Sequence, residues 1–219
     1  MPARVGNVPN ANHSHPAPGM AALAHTTVLA LGSNLGESET TLEQAAADLV
    51  HLSGGAVRLL GASGLYVTEP VGGPADQPDY INAILEVRTS LDPYALLALC
   101  QQVEAHHHRV RLVRWGPRTL DIDVITYDDL VSDDPVLTLP HPRAHERAFV
   151  LVPWDQVNPQ AVIPSRDAAT GEQTRHLVAD LARRVRTADE QAGVNAVRFM
   201  RDMNLPKNLF DSGAESEGV

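Results

Sequence analysis

Residues 119–127, Thr-Leu-Asp-Ile-Asp-Val-Ile-Thr-Tyr, are rich in β-branched and aliphatic side chains, which predicts a strand. Side chains two apart on a strand share a face. Asp121 and Asp123 therefore project together, while Leu120, Ile122 and Val124 take the opposite, buried face. Two carboxylates side by side in a sheet require cations to neutralise them. Arg109, Arg111, Arg114 and Arg118 fall within the ten residues 109–118 just before this strand, in a chain whose formal net charge is −10. Guanidinium forks match phosphate oxygens. Asp oxygens suit Mg²⁺, which keeps several waters and bridges to substrate phosphates. Both halves point to a polyphosphate. The alternative is a structural network in which the carboxylates only pair with the arginines. The turn signal at Trp115-Gly-Pro117 puts the arginines on a segment able to close over a ligand.

The 219 residues fit one domain with extensions. An acidic balance argues against nucleic acid as a partner, since that binding needs a broad basic surface. The single cysteine, Cys100, rules out an internal disulfide framework, fits a reducing, cytoplasmic setting, and sits at an apolar helical position. No stretch reaches the roughly 20 apolar residues of a membrane span. Residues 1–25 lack a secretion pattern and are expected to be a disordered leader, with Met20 as an alternative start.

Along the chain, residues 27–31 predict a buried strand entering the Gly32-Ser-Asn-Leu-Gly36 turn, which is either a phosphate cradle or only a tight turn. A helix follows on Leu42, Ala45, Ala46, Leu49 and Leu52, with Thr40 and Glu43 offered as a capping box. Residues 56–68 predict one strand, bulged near Gly61 and Gly64. The loop 69–79 holds too many Pro and Gly residues for regular structure. Residues 80–89 alternate, with Ile81, Ala83, Leu85 and Val87 on one face and Tyr80 and Asn82 on the other. An amide beside an aromatic ring can hold a flat heterocycle, although ordinary strand surface looks the same. Asp92-Pro93 starts a helix carrying Leu96, Leu97, Leu99, Cys100 and Val103, and His106, His107 and His108 are expected at its solvated end. Extended structure resumes at 136–139, residues 149–154 are apolar, and 173–186 predict a helix. The order strand, helix, strand, strand, helix, strand is the ferredoxin-like βαββαβ core, an antiparallel sheet with two helices on one face, here with a C-terminal helical extension. The boundaries expected are a leader at 1–25, a domain at 26–164, an extension packed on it at 165–206 and a disordered tail at 207–219.

Four stretches together, Leu29-Ala-Leu-Gly-Ser-Asn-Leu-Gly36, Gln77-Pro-Asp-Tyr-Ile-Asn82, Arg114-Trp-Gly-Pro-Arg-Thr-Leu-Asp-Ile-Asp123 and Leu139-Pro-His141, resemble the 6-hydroxymethyl-7,8-dihydropterin pyrophosphokinases of folate biosynthesis. The resemblance runs over residues 27–164. It implies transfer of pyrophosphate from ATP to the pterin hydroxymethyl group, giving AMP and the pterin diphosphate. By the same likeness Asp121 and Asp123 would hold two Mg²⁺ ions and, with Arg109 and Arg118, form the catalytic set. Thr68, Val71, Tyr80, Asn82, Trp115 and Phe149 would surround the pterin. Gln101, Glu104, Arg109, Arg111, Arg114, Arg118, Ile122, Thr138, His141 and Arg147 would surround ATP. The resemblance implies small-molecule partners, no membrane, a cytoplasmic location and a monomer. The chain departs from the family pattern in a shorter stretch between Arg111 and Arg114, His108 in place of a frequent Gly, Pro142 in place of a frequent aromatic residue, and a longer loop at Gly72-Gly73. Two other classes stay open on residues alone. A nucleotide-binding regulator would have lost a metal carboxylate or pterin-edge residue, and a phosphohydrolase would need a water-activating base near the metals.

Overall fold

The computed structural model describes residues 23–70, 77–108, 117–167, 170–192 and 197–211. In a six-stranded sheet, β1 (His25–Ser33) lies antiparallel between β4 (Tyr80–Thr89) and the edge strand β5 (Asp121–Tyr127). The stretch expected as one strand is two. β2 (Val57–Ala62) pairs with the far half of β4 and β3 (Gly64–Thr68) with its near half. Ser63 fills the break, its Oγ accepting from Ile84 N at 2.8 Å and its N–H donating to Ile84 O at 2.9 Å. The register slips at Gly61, where a bulge was expected. β10 (Arg198–Asp202) extends the sheet beyond β3.

The alternation along the central strands sends side chains into two cores. Helices α1 (Ser38–Leu52) and α2 (Pro93–His106) cover one face, where Leu29, Leu31, Leu85, Val87, Ile122 and Val124 meet Leu42, Leu49, Leu96 and Val103. On the other face, Val28, Ile84 and Ile125 meet Val150, Leu151 and Trp154 of α3 (Ala148–Val157), with Val178 and Ala182 of α4 (Val178–Gln191) behind. Each fully buried Leu or Ile contributes about 1.5–3 kcal/mol. The βαββαβ core and its two-helix face are as expected. α2 starts as its sequence dictates, the Asp92 carboxylate accepting from Tyr94 N and Ala95 N at 2.9 Å each, with Pro93 at the first helical position.

Other local expectations give way to long-range contacts. α1 begins at Ser38 without a side-chain cap, because Glu43 binds Arg201 at 2.7 Å and Asn204 N at 2.7 Å instead of closing a box with Thr40. Residues 173–177 are a strand, β9 (Gln173–Leu177), hairpinned with β8 (Val162–Arg166), so α4 starts later than expected. Only Thr138–Leu139 of the stretch 136–139 is strand, β7, paired with β6 (Ser132–Asp133). His107 is tucked against α1, its side chain 10% exposed and its Nε2 2.9 Å from Asp48 Oδ2, rather than solvated. The segment 207–211 is ordered, contrary to expectation. Lys207–Leu209 form a 3-10 turn, Leu209 is fully buried, and Asp211 N–H donates to Leu59 O at 2.8 Å.

Candidate active site

The antiparallel register aligns a row of side chains across three strands. Gly32 on β1 lies opposite Asn82 on β4 and, on its other side, opposite Asp121 on β5. Directly opposed residues present their side chains on the same face. The row continues to Ala30, which faces Ile84 and Asp123. The central strand therefore offers only a hydrogen and a methyl between an amide and a pair of carboxylates two strands, or about 10 Å, apart. A methyl on Gly32 would sit 3.3 Å from Asn82 Oδ1 and 3.9 Å from Tyr80 Cδ1, so Gly32 is the cleared floor of a cleft walled by Tyr80 and Asn82.

Asn82 is buried and pre-oriented. Its Nδ2 donates to Thr68 Oγ1 at 2.8 Å, and its Oδ1 is turned toward Gly32. Across the cleft, the Arg118 guanidinium donates to Asp121. Asp123 Oδ2 lies 3.8 Å from Arg147 Nη1 and 3.9 Å from His141 Nε2. Burial, and then the neighbouring charge of Asp121, push the Asp123 carboxyl up to about 6. Burial and the Arg147 charge push His141 down to about 4, so its imidazole is neutral at pH 7. Burial likewise lowers Arg147 from its ordinary value. His141 is anchored by its N–H donating to Ile125 O at 2.8 Å, and the Arg147 guanidinium carbon stands 5.4 Å from the centre of the Phe149 ring.

The structure thus brings together Asp121, Asp123, Arg118, His141 and Arg147 on one side, and Thr68, Tyr80 and Asn82 on the other. Phe149 lies in the first turn of α3, half-buried against the second core. Thr138 is on β7, its hydroxyl donating to Asp134 O at 3.0 Å. Gln101 is exposed on α2, and Glu104 is buried one turn later, accepting from Ile122 N at 2.8 Å. Glu104 therefore braces the strand between the two carboxylates. Ile122 turns its side chain into the α1/α2 core, away from the cleft. Val71, Arg109, Arg111, Arg114 and Trp115 lie outside the described residues. The Gly-Ser-Asn turn is not a free phosphate cradle at Asn34, because the Asn34 N–H donates to Arg118 O at 3.0 Å.

Among the described residues no cluster of three His, Cys, Asp or Glu side chains is placed to hold a metal. Two carboxylates beside a cleft are still the donor set expected for Mg²⁺, whose remaining ligands are water and phosphate oxygens. Burial and the neighbouring charge of Asp121 disfavour the ionised form of Asp123, which a bound cation would offset.

The family model for 7,8-dihydro-6-hydroxymethylpterin-pyrophosphokinase matches residues 28–159. The chain belongs to this family. A 2-amino-4-hydroxy-6-hydroxymethyldihydropteridine pyrophosphokinase of Bacillus subtilis is 42% identical over 145 residues, covering 66% of this chain and 85% of that one. One from Haemophilus influenzae is 39% identical over 145 residues, covering 66% and 89%. Among solved structures, Plasmodium falciparum HPPK-DHPS with pteroate superposes at a TM-score of 0.56 and 15% identity over 78% of this chain, of which this chain spans 45%. That likeness shows the pyrophosphokinase fold. The family match ends before β8, so β8 to β10 are additions to the matched region.

Proposed function

We propose that this pyrophosphokinase transfers the β,γ-pyrophosphoryl group of ATP to the hydroxymethyl oxygen of 6-hydroxymethyl-7,8-dihydropterin, a step of folate biosynthesis. The oxygen–β-phosphorus bond forms, the bond from that phosphorus to the α,β-bridging oxygen breaks, AMP leaves, and the hydroxyl proton is released. What carries this reading is the Asn82–Gly32–Asp121 row. It sets a heterocycle-reading amide and a phosphate-facing carboxylate pair on opposite walls of one floor.

Phosphoryl-type transfer needs little covalent help from protein, so alignment and charge compensation dominate. Tyr80 offers its ring to the pterin face. Asn82 Oδ1, turned toward Gly32, accepts from the N–H edge of the ring. Arg118, Arg147 and neutral His141 offer donors to phosphate oxygens. Arg109, Arg111, Arg114 and Trp115, which lie outside the described residues, would complete this set by the resemblance. Asp121 and Asp123 would hold two Mg²⁺ ions, whose contribution when bound is to neutralise and orient the phosphates. A cytoplasmic location belongs to the same proposal, supported by the single buried thiol of Cys100, and a monomer is carried over from the resemblance. No helix among the described residues is long and apolar enough to cross a membrane.

The test is to mix protein, Mg²⁺, ATP and 6-hydroxymethyl-7,8-dihydropterin and resolve the nucleotides. Pterin-dependent AMP is expected. Pterin-independent ADP, or no nucleotide product at all, overturns the proposal.

A further inference from the structure

Asn34, at the end of β1, is 4% exposed, and three of its polar groups are committed. Its N–H donates to Arg118 O at 3.0 Å and its Oδ1 accepts from Arg118 N at 2.8 Å. Its Nδ2 donates to Pro78 O at 3.1 Å. The amide orientation is unambiguous, because an N–H faces one end and a carbonyl the other. Pro78 precedes Tyr80 and Asn82, the pterin wall, by two and four residues. Arg118 follows the arginine-bearing loop and donates to Asp121 on the phosphate wall. One buried side chain therefore fastens the roots of two substrate loops to each other and to the central strand.

We propose that Asn34 is a positioning residue that couples the two substrate sites, so that occupancy of the phosphate side sets the pterin wall and the reverse. Any movement of the Pro117–Arg118 backbone toward bound nucleotide must carry Asn34 or break two hydrogen bonds of a buried group. Breaking them would leave a buried amide unsatisfied, so the movement is passed on to Pro78. Coupling of this kind is reciprocal. The inference rests on the pterin and ATP assignment above.

Asn34→Asp separates the links. A carboxylate oxygen still accepts from Arg118 N, but nothing remains to donate to Pro78 O. Calorimetric titration of the pterin substrate is run with and without saturating Mg²⁺ and α,β-methylene-ATP, for the wild type and the variant. A wild-type tightening of about tenfold is expected, falling below about twofold in Asn34→Asp while the affinity for the nucleotide analogue alone stays within about threefold. Asn34→Ser, which removes both side-chain links with a smaller residue, serves as the second variant and is expected to lose the coupling as well. A merely structural role would weaken each ligand separately and leave the ratio intact. A ratio near one in the wild type, or an unchanged ratio in whichever variants fold, overturns the inference. Failure of the AMP assay would instead strike the functional reading, and the titrations report on binding regardless of turnover.

Discussion

Asp123 shows how strongly its surroundings in the fold shift a single side chain. Its ordinary value of 3.8 rises to about 6 in the fold through burial and the charge of Asp121, against the lowering influence of Arg147 and Arg118. A carboxyl group whose folded value exceeds its unfolded one favours the folded state when protonated. Its contribution is complete below about pH 4 and is lost as pH rises through about 6. His141 works in the opposite sense. Its value falls from 6.5 to about 4, so its contribution is present above about 6.5 and is lost as pH falls through about 4. The two must be separated by a difference measurement. In metal-free protein, the melting temperature of wild type minus that of Asp123→Asn should decline between pH 4 and 6.5 and then level off. A difference that is flat with pH would show that Asp123 is not held above its ordinary range. The position of this residue was legible in the sequence, since period-two alternation alone sets Asp121 and Asp123 on one face. The roles of Asn34 and His107 were not, because their partners Arg118, Pro78 and Asp48 lie 84, 44 and 59 positions away.

At the scale of elements, the core strands and the first two helices follow from periodicity, and the C-terminal elements do not. β9 reads Gln-Thr-Arg-His-Leu because its hairpin is exposed on most of its length, so it carries no apolar alternation. The final segment docks through scattered contacts, and its one fully buried side chain, Leu209, makes no pattern. Yet that segment closes the sheet. β10 covers the edge of β3, where a methyl on Gly64 would come 2.8 Å from Arg201 O. Arg201 reaches Glu39 and Glu43 on α1 at 2.8 and 2.7 Å, and Leu209 sits in the α1/α2 core. Leu209→Ala should therefore destabilise the protein by about 3 kcal/mol, as a buried Leu does. Denaturant unfolding measures this, and a change below about 0.5 kcal/mol would mean that the segment is peripheral.

For the whole molecule, the decisive fact is that the site stands on strands both cores share. β1, β4 and β5 pack α1 and α2 on one face and α3, backed by α4, on the other, and the cleft floor, Gly32 and Ala30, belongs to β1 itself. A ligand gripping these strands cannot stabilise one layer alone, so binding should shift a single cooperative unfolding transition rather than split it. A ligand at a hundred times its dissociation constant adds about 2.7 kcal/mol, which in a chain of this size raises Tm by about 5 to 10 °C. Calorimetric melting with Mg²⁺ and α,β-methylene-ATP should show that rise as one peak. The metal-dependent part should vanish with EDTA, which leaves the phosphates facing an uncompensated acidic wall in a chain already at −10, and in Asp121→Ala, which lacks one of the two carboxylates that would hold the metal. A second, unshifted peak would mean that the two cores unfold separately and that the cleft is tied to only one of them. An equal rise with EDTA would mean that the nucleotide is held by guanidinium groups alone.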